Sequence, residues 1–320
     1  MTNNNYIIDL QLFAEKIDRD KAYALIPEDV IPGIISGVRE TSVAMQLMRQ
    51  LPNMSTKTAK MAVLSALPIA DFVDGDAGMK VTTDAAWKDK MLVVGEIAAI
   101  IPIPEAVLDD AEYDIWAEVK PLLVESFGRV FDNQVFNGGN PKAPAEWPEG
   151  IIPMATAAGN VVTVGTGVDI AEDINQLFGM LEEDNYDVSG IAAQRKLQTK
   201  LRGLRDLNNQ FIFQPPAGDA PGTIYSVPVV FTTRGTWDAA EAIAIAGEWN
   251  NAVYSIRQDM TFKIFDTGVI SDEDGLVVFN LLQQDMVAMR AVMRIAWQVT
   301  NPIHIDRDMD TSFPFSVLAP

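Results

Sequence analysis

The sequence contains no cysteine, and that absence removes several kinds of chemistry. Disulfide bonds, thiolate nucleophiles and cysteine-bound metals are all excluded. Histidine occurs once, as His304 between Ile303 and Ile305. A catalytic imidazole usually has an orienting partner, and none is evident in the sequence, so His304 is interpreted as a packed or surface residue.

Basic residues are also scarce. The chain has 24 Lys and Arg against 44 Asp and Glu, which gives a formal net charge of −20. Nucleic-acid binding without sequence preference depends on the neutralisation of phosphates by lysine and arginine, and no dense basic run occurs. We therefore expect a protein that is kept soluble by its acid excess and that repels polyanions.

Long uninterrupted apolar runs are missing as well. The most apolar window, MLVVGEIAAIIPIPEAVL, contains Glu96 and two prolines, which makes it a poor membrane span. The N-terminal stretch lacks the basic start and the continuous apolar centre of a signal peptide. The expectation is a protein that is made in the cytoplasm and stays soluble there.

What the chain does contain is enough apolar sequence for a large core. Of its 320 residues, 48% are hydrophobic and 21% are charged, as in globular proteins of one large domain or two ordinary ones. No internal repeat of solenoid period is visible. A folded core can therefore form without disulfide or metal staples.

The first hundred residues fall into two segments of different pattern. Residues 1–55 are polar before Ile26 and then carry a patchy helical stripe, which predicts an extended arm with a short helix. Residues 56–101 place two apolar runs around the Gly- and Asp-rich DGDAGMKVTTD, which predicts a long β-hairpin. Because an isolated two-stranded hairpin is marginal in water, it must lie on the rest of the chain or on a neighbouring subunit.

A long helical pattern follows the hairpin. It starts at Pro104 and ends at Asn137-Gly138-Gly139, a typical helix terminator. Pro121 lies inside the pattern and is expected to kink the helix or to mark a break. The proline-rich stretch beyond the terminator is expected to be a loop.

Strand and helix patterns then alternate over about residues 161–268, which predicts a compact α/β region. One helix has Asp169 as its N-cap and Glu172 as the second member of a pair like a capping box. The predicted elements are a strand at NVVTVG, helices at DIAEDINQLFGMLEED and GIAAQRKLQTKLRGLRD, and strands at IYSVPVVFTT and AIAIAGEWNNAVYSIRQDMTFKIFD.

The stretch DMVAMRAVMRIAWQVTNP has a periodicity that fits a helix and a strand almost equally. Its length, its β-branched residues after Met293 and its stop at a proline favour a strand over residues 287–300. Arg290 and Arg294 would then share one face. In so acidic a chain we expect both to pair with carboxylates, within the subunit or across an interface.

Two motifs resemble ligand sites but lack a required residue. VVTVGTGVDIAEDI has Gly-x-Gly after a strand, but Ile170 stands where a dinucleotide fingerprint needs a small residue. Asp306, Asp308 and Asp310 have calcium-loop spacing, yet the sixth and twelfth loop positions are threonine and valine. No nucleophile elbow, phosphate-binding loop or zinc signature is present. The sequence therefore predicts no catalytic residue, no cofactor and no metal.

The order of these elements resembles the tailed-bacteriophage major capsid proteins of the Hong Kong 97 type. The similarity covers roughly residues 26–302, and the order of the pieces is more specific than any single piece. The stretches that carry the resemblance are DLQLFAE, IPEDVIPGIISGVRETSVAMQLM, AAWKDKMLVVGEIAAIIPIPEAVLDDAEYDI, FDNQVFNGG, EGIIP and FNLLQQDMVAMRAVMRIAWQVTNP.

The resemblance implies an α+β chain with the Hong Kong 97-type capsid fold. Residues 1–55 would form the N-terminal arm and residues 56–101 the extended β-hairpin loop. Residues 102–150 and 276–320 would form a peripheral domain that contains the long spine helix. Residues 151–275 would form a compact axial domain.

The function that the resemblance implies is structural and not enzymatic. Copies would assemble through pentamers and hexamers into an icosahedral shell that encloses double-stranded DNA without sequence-specific binding or a membrane. Assembly would be direct or would use a separate scaffolding protein, and a portal and a maturation protease would be further partners. Assembly would take place in the host cytoplasm, with final location in the virion capsid. An encapsulin-type compartment is the alternative, which the phage-like DLQLFAE start and the arm before Ile26 disfavour. An acidic cytoplasmic α/β enzyme is the third alternative.

Six residues are candidates for the assembly interface. They are Trp87, Lys88 and Lys90 in the hairpin and Arg290, Arg294 and Trp297 in the closing strand. Lysine cross-links between subunits occur in part of this family, but a solvated or ion-paired role is the preferred interpretation for the hairpin lysines. These lysines are Lys57, Lys60, Lys80, Lys88 and Lys90.

Overall fold

The computed structural model describes residues 42–66, 68, 70, 72, 80, 82–83, 85–111, 114–205, 208, 210–211, 213–215, 222–232, 236–237, 240–272, 274–301 and 312–320. The predicted arm before Ser42 lies outside the described residues. So do most of the turn region of the predicted 56–101 hairpin, His304 and the calcium-like Asp306–Asp310 stretch.

Helices and strands alternate in a mixed α+β order through the described chain. The helices are α1 (Val43–Leu47), α2 (Glu105–Asp110), α3 (Ile115–Phe136), α4 (Ile151–Ala158), α5 (Ile170–Glu183) and α6 (Arg195–Leu201). The strands are β1 (Arg49–Gln50), β2 (Thr58–Ala66), β3 (Ala86–Val93), β4 (Gly95–Pro104), β5 (Val161–Thr163), β6 (Gly190–Gln194), β7 (Phe213–Gln214), β8 (Gly222–Ile224), β9 (Val227–Thr232), β10 (Ala244–Gly247), β11 (Ala252–Phe265), β12 (Val269–Ser271), β13 (Val277–Asn280), β14 (Met286–Val299) and β15 (Phe315–Ala319).

The strand β14 confirms the strand interpretation of the closing stretch. It lies inside a four-stranded sheet of order β1-β11-β14-β4 and is antiparallel to both of its neighbours. Alternate side chains behave differently, as the pleat of a strand requires. Met289, Met293 and Trp297 are buried in the main core, whereas Arg290 and Arg294 on the other face are partly exposed.

The helix α3 covers the core face of this sheet. Phe131 meets Tyr254 of β11 edge-on, with 6.5 Å between ring centroids. The Lys120 ammonium lies 5.8 Å from the ring centre of Phe262, also on β11. The helix and the long strands therefore share one core instead of forming separate layers.

The long helical pattern is interrupted, but not at the proline. The helix α2 is followed by Ala111 in an extended conformation, and α3 then starts from Asp114. The Asp114 carboxylate accepts hydrogen bonds from two amide groups in the first turn of α3, which makes it a new N-cap. The helix α3 continues through Pro121, so a break at that residue is wrong.

A seven-stranded sheet forms the second structural unit, with the order β5-β15-β10-β6-β9-β8-β7. The helices α5 and α6 pack on it over a second apolar cluster. Asp169 caps α5 as predicted, through hydrogen bonds from the amides of Ala171 and Glu172. The Glu172 carboxylate accepts from the amide of Val168, one residue before the position of a standard capping box.

Two predicted elements in this region are corrected. Residues 190–194, predicted as the start of a helix, form β6, which is buried on both faces and paired with β10 and β9. A strand buried on both faces lacks the alternation that identifies most strands in a sequence. The predicted strand IYSVPVVFTT is divided into β8 and β9 by a turn at Tyr225 and Ser226, both with positive φ.

Three segments lie in a different sheet from the one that the expected domain limits imply. The strand β15, grouped with the long helix, is inserted between β5 and β10 because it pairs with both of them. The strand β11, grouped with the α/β region, pairs with β14 along most of its length. Residues 95–101, grouped with the hairpin, belong to β4 of the four-stranded sheet.

A buried carboxylate ties the start of the described chain to α3. Asp132 Oδ1 accepts hydrogen bonds from Ser42 Oγ at 2.5 Å and from the Ala44 amide at 3.1 Å, and Oδ2 accepts from the Val43 amide at 3.0 Å. Burial raises the pKa of Asp132 to about 6, against the opposing effect of these hydrogen bonds. The side chain thus caps a helix that is about ninety residues away in sequence.

Replacement of this carboxylate should be costly. We expect Asp132→Ala to lower the free energy of unfolding by about 3 kcal/mol, because it leaves buried donors without an acceptor. The matched control is Asp114→Ala, which removes an exposed helix cap and should cost about 1 kcal/mol. Urea unfolding of the unassembled chain measures both values. Equal costs for the two variants would contradict the assignment.

The same carboxylate should give stability a defined dependence on pH. Its pKa is raised in the folded chain, so between about pH 4 and pH 6 the folded state keeps a proton that the unfolded state has released. Its contribution to stability is therefore complete below pH 4 and is lost as the pH rises to about 6. Relative to the non-titrating variant Asp132→Asn, the wild type should lose about 2–3 kcal/mol over this interval. An advantage that grows with pH would contradict the prediction.

Candidate assembly surfaces

The predicted hairpin is present, and the part of it that the structure describes rests on the body at its base. The strands β2 and β3 pair in an antiparallel register from Thr58 opposite Val93 to Leu64 opposite Trp87, and on to Ala66 opposite Ala86. At the base, Leu92 and Val94 are buried against Ala296 on the outer face of β14. Two polar contacts reinforce this attachment: Lys90 Nζ donates to the Val299 carbonyl at 2.9 Å, and Gln298 Nε2 donates to the Met91 carbonyl at 3.1 Å.

The three candidate contact residues in the hairpin differ in solvent exposure, and therefore in their availability to a neighbouring subunit. Trp87 is 64% exposed, and Lys88 beside it is also exposed. Lys90 is half-buried, and burial, helped by the nearby charge of Lys88, lowers its pKa. Trp87 and Lys88 therefore project from the hairpin, whereas Lys90 holds the hairpin to β14.

One other hairpin lysine has a clear partner. Lys60 Nζ forms an ion pair with Asp89 Oδ2 at 3.3 Å across the two strands. Both side chains are well exposed, so the pair contributes little to stability. Lys57, Lys80 and Lys88 are also exposed.

The two arginines of β14 have different partners. Arg294 confirms the expected carboxylate pairing, because its Nε lies 2.7 Å from Glu96 Oε2. Its Nη1 also donates to Gln258 Oε1 at 2.9 Å. Both partners lie directly beside Arg294 in the sheet register.

Arg290 has no carboxylate partner among the described residues. Its guanidinium lies 5.0 Å from the ring centre of Phe265, and its buried Nε has no hydrogen-bond partner in the described part of the chain. The register explains this difference, because the cross-strand neighbours of Arg290 are Ile100 on β4 and Lys263 on β11. Within the described residues, the Arg290 cation therefore packs against an aromatic ring instead of a carboxylate.

Trp297 is a core residue. It is fully buried and meets Trp147 edge-on, with 6.4 Å between ring centroids. Its indole therefore has no surface that a neighbouring copy could contact in this conformation. Sequence periodicity placed it on β14 but did not indicate which face of the strand is covered.

The structure contains a second projecting hairpin, which was not predicted from the sequence. The tip hairpin, defined here as residues 269–282, contains the two-stranded pair β12 and β13 between the long strands β11 and β14. It exposes large apolar side chains, with Leu276 at 67%, Val277 at 63% and Leu282 at 69%. The available signal was the apolar run after the acidic turn SDEDG.

The acidic turn of the tip hairpin has a local structural use. Asp272 Oδ1 accepts hydrogen bonds from the amides of Asp274 and Leu276, at 3.1 Å and 2.8 Å. This arrangement is an Asx-type turn, which orders the chain reversal before β13. SDEDG is therefore a surface turn that its own aspartate orders.

The amides of the Gly-x-Gly loop are also occupied by a carboxylate of the same chain. The amides of Gly165 and Gly167 donate to the buried Asp173 carboxylate at 2.9 Å and 2.7 Å. A dinucleotide site would need such amides to face a phosphate. The loop is therefore closed by an internal acceptor.

The described parts of the chain contain no group of three or more His, Asp or Glu side chains placed to hold a metal ion. Within the same residues, no helix has both the length and the apolar character needed to cross a bilayer. The prominent surface features are two projecting hairpins with exposed apolar side chains. Such features suit contact with another protein surface.

Comparisons with known proteins agree with one another. A sequence model of the phage capsid family matches residues 23–305. The chain is 27% identical over 274 residues to the major capsid protein of Staphylococcus phage 80alpha, covering 84% of this chain and 79% of that protein. A solved chain from Microbacterium phage Oxtober96 is 36% identical, with a TM-score of 0.74, and covers 96% of this chain and 100% of its own length. A solved chain from Mycobacterium phage Adephagia is 26% identical with the same TM-score, and covers 96% of this chain and 98% of its own length.

The tip hairpin should contribute to self-association. We expect Leu276→Ser combined with Val277→Ser to weaken association between copies by about tenfold or more, because exposed apolar area is lost from a contact surface. The matched control is Val168→Ser, an exposed apolar residue in the turn before α5. Sedimentation measures the association, and circular dichroism shows that the fold is retained. Unchanged association in the double variant would exclude the tip hairpin as a contact.

Proposed function

The chain belongs to the phage capsid family and is a phage major capsid protein with the Hong Kong 97-type α+β fold, and we propose on this premise that its copies close into an icosahedral shell around double-stranded DNA. The structural observation that supports this proposal is the pair of projecting hairpins. Each presents exposed apolar side chains that the body does not cover.

Projections of this kind suit the formation of a shell. A stable contact between proteins buries about 1,200–2,000 Å² in total, and a shell subunit needs several such contacts. Hairpins that reach over a neighbour add contact area without enlarging the core of each copy. Trp87 and Lys88 on one hairpin, with Leu276, Val277 and Leu282 on the other, are the proposed contact residues. Arg290 and Arg294 lie on the sheet face between the two projections.

The sheets suggest refined limits for the parts of the capsid fold. The extended loop is proposed to end at Val93, where β3 ends. The peripheral domain would contain β4, α2, α3, β11, the tip hairpin and β14. The axial domain would contain the seven-stranded sheet together with α5 and α6. Residues before Ser42 are proposed to belong to the N-terminal arm.

The charge of the chain agrees with a container for DNA. A net charge of −20 disfavours adhesion of the enclosed polyanion to the wall. We therefore propose that the shell encloses DNA without sequence-specific contacts. Pentamers and hexamers of the chain are its proposed building units. A scaffolding protein, a portal and a maturation protease are proposed as further partners, with assembly in the host cytoplasm.

A structural role without catalysis is supported by the uses of the carboxylates. Asp114 and Asp169 cap helices, Asp132 caps α1 from a distance, and Asp173 holds the Gly-x-Gly loop. These four acidic side chains are thus engaged in holding the backbone. We propose that the chain is not an enzyme.

Electron microscopy of the assembled product tests the proposal. We expect the full chain, produced with its scaffolding partner, to form large regular particles in negative stain and to elute in the void volume of a sizing column. A product that stays a monomer or a small oligomer under these conditions would refute shell formation. Boiling in detergent distinguishes the lysine interpretations, because a ladder on a gel would reveal covalent cross-links.

The contents of native particles separate the alternatives. A phage shell should contain DNA, whereas an encapsulin-type compartment would contain a cargo enzyme that mass spectrometry can identify. A compact monomer with a bound cofactor would instead support the cytoplasmic enzyme.

A further inference from the structure

The junction between the extended hairpin and the body is very short. The strand β3 ends at Val93 and pairs with β2, whereas β4 begins at Gly95 and pairs with β14. Only Val94 separates a strand of the two-stranded sheet from a strand of the four-stranded sheet. The angle at which the hairpin leaves the body is therefore set within a few backbone bonds.

Trp147 contacts both sides of this junction. Its indole Nε1 donates a hydrogen bond of 2.7 Å to the carbonyl of Val93, the last residue of the hairpin. Its ring lies against Gly95, the first residue of the body strand. A Cβ atom added to Gly95 would lie 2.7 Å from Cζ2 and 3.0 Å from Cη2 of that ring. The glycine thus makes room for the indole at the point where the chain changes sheets.

Trp147 is itself held from two directions. On one side its ring meets the fully buried Trp297 edge-on. On the other side it belongs to the loop 138–150, which returns close to its own start. Gly138 and Gly150 form the neck of this loop, with φ values of +66° and +119°. A Cβ on Gly138 would lie 1.4 Å from the Glu149 carbonyl oxygen, so the neck closes only with glycine.

We propose that Trp147 is a positioning residue that fixes the direction of the extended hairpin relative to the body. The core residue Trp297 locates the indole, and the indole then holds the last carbonyl of the hairpin and the first residue of β4. The buried contacts at the hairpin base resist lifting, whereas Trp147 resists rotation about Val94. The consequence for assembly rests on the proposed shell function, since only a correctly aimed hairpin would meet its neighbour.

Two substitutions weaken this contact in different ways. Trp147→Phe removes the hydrogen bond to Val93 and the ring atoms that face Gly95. Gly95→Ala keeps the tryptophan but drives the new Cβ into its ring. Because phenylalanine lacks Cζ2 and Cη2, the double variant should relieve that collision. The two effects should therefore be less than additive.

The absence of cysteine allows a direct measurement of the hairpin direction. Ala62→Cys on β2 and Glu118→Cys on α3, both exposed, provide two sites for spin labels in the full unassembled chain. We expect one narrow distance distribution for the labelled parent. It should broaden about twofold with Trp147→Phe and with Gly95→Ala, but no further in the double variant.

Matched controls separate the contact from general effects of substitution. Trp116→Phe shortens another partly buried tryptophan, and Gly179→Ala adds a Cβ to a glycine with nothing within 4 Å of that position. Both should keep the parent distribution. Parent-like distributions in Trp147→Phe and Gly95→Ala would overturn the proposal, and so would fully additive broadening in the double variant.

Assembly gives the second readout. In particle preparations, Trp147→Phe and Gly95→Ala should yield severalfold fewer regular shells than the parent and the two controls. Normal shells from variants with broadened distributions would overturn the role in assembly. If the parent forms no shells at all, the proposed function fails, while the distance measurement still decides the role of Trp147.

Discussion

The pairing of β14 along both of its edges is the constraint on which the rest of the body depends. Its register with β11 and β4 decides that every second side chain enters the core beneath α3. The intervening side chains must then face outward, where Ala296 is covered by the hairpin base and Arg294 meets Glu96. A shift of one residue in this register would exchange the two sets and expose the core.

Carboxylates do structural work throughout this acidic chain. Asp132, buried in α3, accepts three hydrogen bonds from the beginning of the described chain. Asp173 accepts two hydrogen bonds from amides of the Gly-x-Gly loop. The donors around such a buried carboxylate compensate in part for the water that it loses. The net negative charge of the molecule thus acts on solubility and on polyanions, whereas individual acidic side chains hold the backbone through hydrogen bonds.

The sequence predicted features that are encoded locally and missed features that depend on packing. The length of the stretch, its β-branched residues after Met293 and its stop at a proline supported β14, and the Asp169 cap was visible because capping involves neighbouring residues. The strand β6 was missed because burial on both faces removes alternation. The turn at Tyr225 and Ser226 contains no glycine to reveal its positive φ values. Trp297 was selected as a contact residue because periodicity cannot show which face of a strand a hairpin or a helix will cover.

The position of β15 imposes an order in time on the production of subunits. This strand follows every other described element in the chain, yet it lies between β5 and β10 inside the seven-stranded sheet. During translation, one edge of β10 therefore has no partner strand until β15 has left the ribosome. Open edges are where strands of different chains pair wrongly. A copy interrupted before β15 would keep that edge, whereas a copy that includes β15 covers it. Complete and incomplete chains thus differ in whether this edge of β10 is paired, before any copies associate.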